Sequence, residues 1–349
     1  MQNQFSGTSS FKILIIRMSS IGDIVLTTPV IRLLQQQFPG AKIDFVIKKQ
    51  FVDILSDHPL LNRLLIFDKQ NNAGTLRQIR RAISETRYDI IIDLHKNIRS
   101  YYLSIGTGAG TVARFKKGVL RRFLFVKFRM KSQEKPLPVY QRYLSAVAFL
   151  DIRDDRQGPQ IFIHPSVQHR ITGWYASFIN RWPVLIGVAP GASFRTKRWT
   201  PQGFSEVINQ LIHRHNAGII IFGNGADRDI SQTLNIDAEE NVLDVTGQLS
   251  LQETTALLNH CSILLTNDTG LMHLATALKK KIVAIFGSTT EELGFFPYNT
   301  EFLVIQNHGL ACRPCSHLGR QRCPRKHFKC MNDIAPRQVY EAVVMMMGR

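Results

Sequence analysis

The chain has 349 residues, room for about two domains at a nominal ~150 each. Hydrophobic residues at 44% and charged residues at 20% exclude a disordered chain, and no window approaches the roughly 18 uninterrupted apolar residues of a membrane span. The net charge of +18 is unevenly placed: residues 1–170 hold 27 Lys and Arg against 12 Asp and Glu, the remainder 17 against 14. A basic N-terminal half points to an anionic partner (nucleic acid, an acidic membrane surface or a phosphorylated substrate), with a merely solvated face as the plainer alternative.

In chain order, the polar Met1–Ser10 and the short apolar run Ile13–Ile16, stopped by Arg17, predict neither a signal peptide nor an anchor. Strand-length apolar runs follow at Lys12–Ile16, Ile43–Ile47, Leu64–Phe67 and Asp89–Leu94, separated by amphipathic stretches such as Val30–Phe38 and Leu76–Thr86. After a polar, Pro-containing passage around His164–Pro183 the pattern restarts. Strands are predicted at Val184–Val188, Gly218–Phe222, Ser262–Thr266 and Ile282–Phe286, with helices at Pro201–Arg214, Leu251–His260, Thr269–Leu278 and Pro336–Met347. Strand–helix alternation with continuous apolar strands predicts parallel sheets covered on both faces, hence two doubly wound α/β domains. The boundaries read as 1–170, 171–335 and a final helix over 336–349.

In such sheets ligands sit beyond the carboxyl ends of the strands, and the natural site of a two-domain chain is the cleft between the domains. Four post-strand loops qualify. The first, Arg17–Asp23, offers Ser19, Ser20 and Gly22 at a helix start and places Asp23 where it can take a proton from a substrate hydroxyl. Helix capping by Ser20 or Asp23 is the competing reading. The second, Ala189–Trp199, brings Ser193, Arg195, Thr196, Lys197 and Arg198 together as a diphosphate clamp, with Trp199 as a core anchor and Thr200-Pro201 as a helix start. The third, Phe222–Asp229, has small residues and then acids, suiting ribose hydroxyls or a helix dipole. The fourth, Thr266–His273, combines Asp268, Thr269 and Gly270 with His273 one turn on, a phosphate-binding helix start. No GxxxxGK[ST] occurs, which argues against a P-loop NTPase.

Four of these segments, in order, resemble a known family. Lys12–Val25, Pro190-Gly191-Ala192 with Lys197-Arg198-Trp199, Asn267–Ala275 and Ala284–Thr289 resemble the ADP-heptose–lipopolysaccharide heptosyltransferases of glycosyltransferase family 9. The resemblance runs from about residue 11 to the final helix. It implies a GT-B fold, two Rossmann-like domains facing a central cleft, with the acceptor on the N-terminal and the nucleotide sugar on the C-terminal domain. It implies inverting transfer of heptose from ADP-heptose to the inner core of lipopolysaccharide, with no required cofactor or obligatory metal. By position, Asp23 becomes the general base, with Ser19, Ser20 and Gly22 shaping its loop. Lys197 becomes the group that stabilises the leaving diphosphate, with Ser193 near it. Asp268, Thr269, Gly270 and His273 match the diphosphate- and sugar-binding loop, and Asp227 or Asp229 the ribose-binding acid. The implied location is the cytoplasmic face of the inner membrane.

The excess basicity then has a target. Arg114, Lys116, Lys117, Arg121, Arg122, Lys127, Arg129, Lys131 and Lys135, against Glu134 alone, are interleaved with Phe115, Phe123, Leu124, Phe125, Val126 and Phe128. Such a stretch suits an anionic membrane surface or the phosphorylated lipopolysaccharide acceptor, or else simply covers the core. Cys312, Cys315, Cys323 and Cys330, with His308, His317 and His327 nearby, have the look of a metal set, although their spacing departs from the two-pair zinc pattern; a structural metal there is left open. Two other functions compete: a same-family enzyme using another nucleotide sugar or acceptor, and a basic nucleic-acid-binding protein. Nucleic acid is not expected as a partner, because the cations belong to no recognisable nucleic-acid module.

Overall fold

The computed structural model describes residues 11–128 and 137–348. The chain packs as two units. One runs to Lys117 and takes up Val139–Phe162; the other takes the described part of Gly118–Pro138 together with Ile163 onward.

The first unit is built on five strands, β1 (Lys12–Ile16), β2 (Lys42–Lys48), β3 (Arg63–Phe67), β4 (Ile90–Asp93) and β5 (Thr111–Arg114). They form a parallel sheet in the order β3-β2-β1-β4-β5. Isoleucine and valine dominate β1, β2 and β4 because helices cover both faces of these central strands. Leu14, Ile16, Val46 and Ile91 pack with Ile79 and Ile83 from the helix Asn72–Thr86 and with Tyr88 and Leu103. The short edge strand β5 (Thr-Val-Ala-Arg) carries too little apolar material to be predicted from the sequence.

The second unit holds β6 (Leu185–Ala189), β7 (Gly218–Ile221), β8 (Val242–Asp244), β9 (Ile263–Asn267), β10 (Lys281–Phe286) and β11 (Phe302–Gln306) in the order β11-β10-β9-β6-β7-β8, all parallel. The helix Pro201–His215 buries Phe204, Val207, Ile208 and Leu211 against this sheet, and the final helix Pro336–Met347 adds Val339, Val343 and Met346 to the same core. Thr200 caps the former through its hydroxyl to Gly203 N, with Pro201 at the first helical position.

The domain limits differ from the sequence reading at three places, the first being the described part of Gly118–Pro138, which packs with the second unit. Residue 170 falls inside the helix Pro165–Trp174, which stays whole in the second unit because Ile171 is buried there and Arg170 pairs with Glu253 at 3.0 Å. The final helix is likewise part of the second core rather than an appendage.

Both strand orders place a switch point where a parallel doubly wound sheet binds ligands: between β1 and β4 in the first unit, and between β6 and β9 in the second. The loops carrying Asp23, Lys197 and Asp268 all leave strands at these two points. No helix among the described residues is long and apolar enough to cross a membrane.

Candidate active site

At the first switch point, Arg17 leaves β1 and organises the loop. Its Nε donates to Ser19 O at 2.8 Å and its Nη1 to Leu94 O, just after β4, at 2.6 Å; its Nη2 pairs with Asp23 Oδ1 at 2.7 Å. The same Oδ1 accepts the Tyr143 hydroxyl at 2.8 Å. Oδ2 accepts Ser20 N at 3.2 Å and Ser20 Oγ at 2.9 Å, so the helix Ile21–Val25 begins with a Ser20–Asp23 capping box. The capping alternative is therefore realised, and the same carboxylate also carries an ion pair. Gly22 lies buried in that first turn.

Burial by itself pushes the Asp23 carboxyl up, but the Arg17 charge and the hydrogen bonds from Tyr143 and Ser20 outweigh it and hold the group below the usual carboxylate range. Tyr143 moves oppositely: burial, then the Asp23 charge, raise its phenol well above the ordinary value.

Beside this loop, Asp93 ends β4 fully buried and rigidifies the turn that follows. Its Oδ1 accepts the backbone N–H of His95 (3.0 Å) and Lys96 (2.7 Å), and its Oδ2 accepts Ser100 Oγ at 2.8 Å. The His95 Nδ1 is buried with no hydrogen-bond partner among the described residues. Its ring is held neutral, with a pKa down to about 3, by burial first and then by Arg17 and Lys117. Neither this loop nor Tyr143 stood out in the sequence. The rule that selects loops after strands reaches Asp93–His95, whereas Tyr143 lies 120 residues from Asp23 and carried no signal.

At the second switch point three loops are tied together. Asn267, the last residue of β9, donates Nδ2 to Pro190 O at 2.8 Å and accepts Trp199 N on Oδ1 at 3.0 Å. Lys197 Nζ pairs with Asp268 Oδ2 at 2.7 Å, and Thr289, following β10, donates its hydroxyl to that same oxygen at 2.7 Å. Buried Thr196 donates Oγ1 to Ser288 Oγ at 2.9 Å. Gly191 is required here: a Cβ would come within 2.3 Å of the Asp227 carboxylate. Trp199 is 2% exposed, stacks edge-on to Phe204 and donates Nε1 to Ile334 O, the packing role expected of it.

The helix Gly270–Ala277 begins without a side-chain cap from Thr269, which leaves its first backbone N–H groups to other partners. His273 is buried in it, edge-on to Phe295. Ser193 is exposed, and its carbonyl accepts Gln321 Nε2 at 3.1 Å. Asp227 is buried, with Oδ2 accepting Asn224 N (3.1 Å) and Nδ2 (2.7 Å), which is a capping role; Asp229 is exposed in the next turn.

The cysteine segment closes over these loops. Arg313 donates to Gly287 O, Phe286 O, Thr289 O and Asn307 O, and Arg320 N donates to Thr196 Oγ1 at 2.8 Å. Cys312 Sγ lies 3.8 Å from His327 Nε2, and burial pushes the Cys330 thiol up to about 12. Among the described residues, no group of three or more His, Cys, Asp or Glu side chains is arranged to hold a metal ion.

The basic stretch divides. Phe115 is buried against Tyr143 with ring centroids 4.9 Å apart, and Arg114 reaches Ser104 Oγ at 3.0 Å, so these two serve the first unit's interior. Lys117 Nζ donates to Lys96 O at 2.7 Å. Val119–Phe128 forms a helix with no buried residue, exposing Val119, Leu120, Phe123 and Phe128 beside Arg121 and Lys127. Arg129, Lys131, Glu134 and Lys135 lie outside the described residues.

Two parallel doubly wound α/β units with polar loops at their switch points make up a GT-B fold. Residues 76–324 match Glycosyltransferase family 9 (heptosyltransferase), and the chain belongs to that family: it is a heptosyl-transferring glycosyltransferase. Lipopolysaccharide heptosyltransferase 2 of Escherichia coli (strain K12) is 27% identical over 295 residues, 80% of this chain and 84% of that protein. Among solved structures, a glycosyl transferase family 9 protein from Veillonella parvula DSM 2008 superposes with a TM-score of 0.80 at 23% identity, covering 97% of both chains. The ADP-heptose lps heptosyltransferase II of E. coli does so with a TM-score of 0.75 at 23% identity, covering 97% of this chain and 98% of that one.

Proposed function

We propose that the chain transfers heptose from ADP-heptose to the inner core of lipopolysaccharide with inversion at the anomeric carbon. The acceptor binds at the Asp23 centre of the first unit and the nucleotide sugar at the Lys197–Asp268 centre of the second. Asp23 takes the proton of the acceptor hydroxyl as its oxygen attacks the anomeric carbon. The bond from that carbon to the diphosphate oxygen breaks, and ADP leaves with the electron pair. A positioned base of this kind contributes ~10²–10⁴-fold.

Lys197 neutralises the departing charge. Asp268, Thr269, Gly270 and His273 hold the diphosphate and sugar, the N–H groups at the start of Gly270–Ala277 serving the phosphates. Ser193 flanks the clamp. The ribose lies by the Gly223–Asp229 loop, where Asp229 is the exposed acid and Asp227 shapes the turn. The observation that carries this reading is the location of a paired lysine and a paired aspartate at the switch points of two sheets in a chain of this family. No step in it calls for a metal.

The exposed basic and aromatic helix Val119–Phe128 suits an anionic surface and supports peripheral attachment at the cytoplasmic face of the inner membrane, facing the phosphorylated acceptor. The test is a donor panel of ADP-heptose, other ADP-sugars, UDP-sugars and GDP-sugars with a truncated core acceptor, scored by product mass. A heptosyl adduct from ADP-heptose supports the reading; an adduct only from another donor overturns it.

A further inference from the structure

The four donors on Asp23 are not equivalent. Those on Oδ1 come from the interior: Tyr143 is 1% exposed and Arg17 9%. Those on Oδ2 come from Ser20, an exposed residue at the mouth of the loop. The Tyr143 ring is itself fixed from two sides, by Phe115 at 4.9 Å and by the Arg17 guanidinium at 5.3 Å from its centroid. The carboxylate thus has a pinned inner oxygen and an outer oxygen reachable by a ligand.

We propose that Tyr143 is a positioning residue of the transfer centre: with Arg17 it pins Oδ1 of Asp23 from the buried side, so that Oδ2 is the oxygen that takes the acceptor hydroxyl's proton. This rests on Asp23 being the base. The Ser20 hydroxyl, 2.9 Å from Oδ2, marks where an alcohol donor sits and rotates aside when the acceptor arrives. As the acceptor O–H bond breaks, its proton passes to Oδ2 and its electron pair forms the new bond to the anomeric carbon. The diphosphate carries away the electrons of the old one.

The charged and titratable groups facing Asp23 are Arg17 from β1, Tyr143 from the helix Val139–Leu144, and His95 after β4; Asp93 acts on Arg17, and Arg142 on Tyr143. A donor to a carboxylate favours its charged form, so removing the phenol hydroxyl raises the pH at which Asp23 gains its proton. His95, with its pKa down to about 3, belongs to the same acid region of the profile.

The experiment compares Tyr143→Phe and Asp23→Asn with the wild type in pH–rate profiles at saturating acceptor. Tyr143→Phe keeps the buried ring, and its acid limb is expected to move up by about one pH unit. Its kcat falls about tenfold with the KM for the donor unchanged, a split that a merely structural role would not produce. A wild-type acid limb and kcat in folded Tyr143→Phe, alongside an inactive Asp23→Asn, overturns the positioning role alone. Turnover retained in Asp23→Asn overturns the base assignment and this inference with it. Should Tyr143→Phe not fold, 3-fluorotyrosine at position 143, a stronger donor, is expected to lower the acid limb, and an unmoved limb overturns the role.

Discussion

Lys197 and Asp268 meet at 2.7 Å between two strand ends, and Thr289 donates to the same carboxylate oxygen. The lysine proposed to face the diphosphate is thus held in place by a carboxylate that is only 5% exposed. Lys197→Ala is expected to weaken ADP and ADP-sugar binding and to lower kcat further, since the contact strengthens as charge develops on the leaving group. It also strands the Asp268 charge, which costs about 3 kcal/mol of stability by analogy with other broken buried pairs. Adding Asp268→Asn to Lys197→Ala should recover most of that stability but none of the ADP affinity. Calorimetric ADP titration and denaturant unfolding of the two variants check both halves.

Asp23→Asn keeps the loop's shape while removing the proposed base. Turnover is expected to fall by about 10²-fold or more with ADP affinity unchanged. The variant also reports on stability. The Asp23 pKa is lowered in the folded protein, so its contribution is present above the unfolded value and is lost as pH falls through the folded one. Melting temperatures of wild type and Asp23→Asn should therefore differ most above about pH 4, the ordinary aspartate range, and converge in stronger acid.

His58 acts in the same direction over a higher pH window. Burial first, then nearby Arg32, lower its pKa to about 4, and its ring is 5% exposed against Phe162. Below its ordinary value of 6.5 the unfolded chain binds a proton that the folded chain refuses, so stability declines as pH falls from 6.5 towards 4. Replacing His58 by Gln should flatten that part of the stability–pH curve, as read by denaturant midpoints between pH 4 and 7.

Gly191 has no room for a side chain, because a Cβ there would meet the Asp227 carboxylate at 2.3 Å. Gly191→Ala is expected to displace Asp227 from its cap on Asn224 and to disturb both nucleotide-side loops at once. Loss of ADP affinity with acceptor KM unchanged would show this by titration and steady-state kinetics.

The exposed face of Val119–Phe128 can be tested apart from the first unit's interior. Lys117 bonds to the carbonyl of Lys96 and Arg114 to Ser104; the cations to neutralise are Lys116, Arg121 and Lys127, all exposed. Replacing the three by Gln should raise the KM for lipid acceptor and weaken binding to anionic vesicles, more at low salt than at high, since ions screen beyond roughly 8–10 Å. ADP affinity should not move. Unchanged vesicle binding would return these cations to a solvated face.

Most of the strands were legible because each central one is a short β-branched run that helices bury on both faces, so its residue types declare it: β1, β4, β9 and β10 are found within one or two residues of where the apolar runs predict them. Edge strands β5, β8 and β11, half covered and compositionally mixed, were not. The loops with Asp23, Lys197 and Asp268 were likewise readable, since a parallel sheet delivers chemistry at its strand ends and the residue types there are unusual. What the sequence could not specify is which partner each charge has. Arg17, held by Leu94 O, and Tyr143 meet at Asp23 only because β1 pairs with β4 and the helix Val139–Leu144 folds back beside them. Cys312, Cys315, Cys323 and Cys330 show the converse: ligand-like residues at suggestive spacing whose backbone is instead drawn to Thr196 and Ser288 through Arg320 and Cys315. Spacing along a chain sets what can come together locally. Long-range pairing, decided by the competition for buried area and satisfied hydrogen bonds, sets what does.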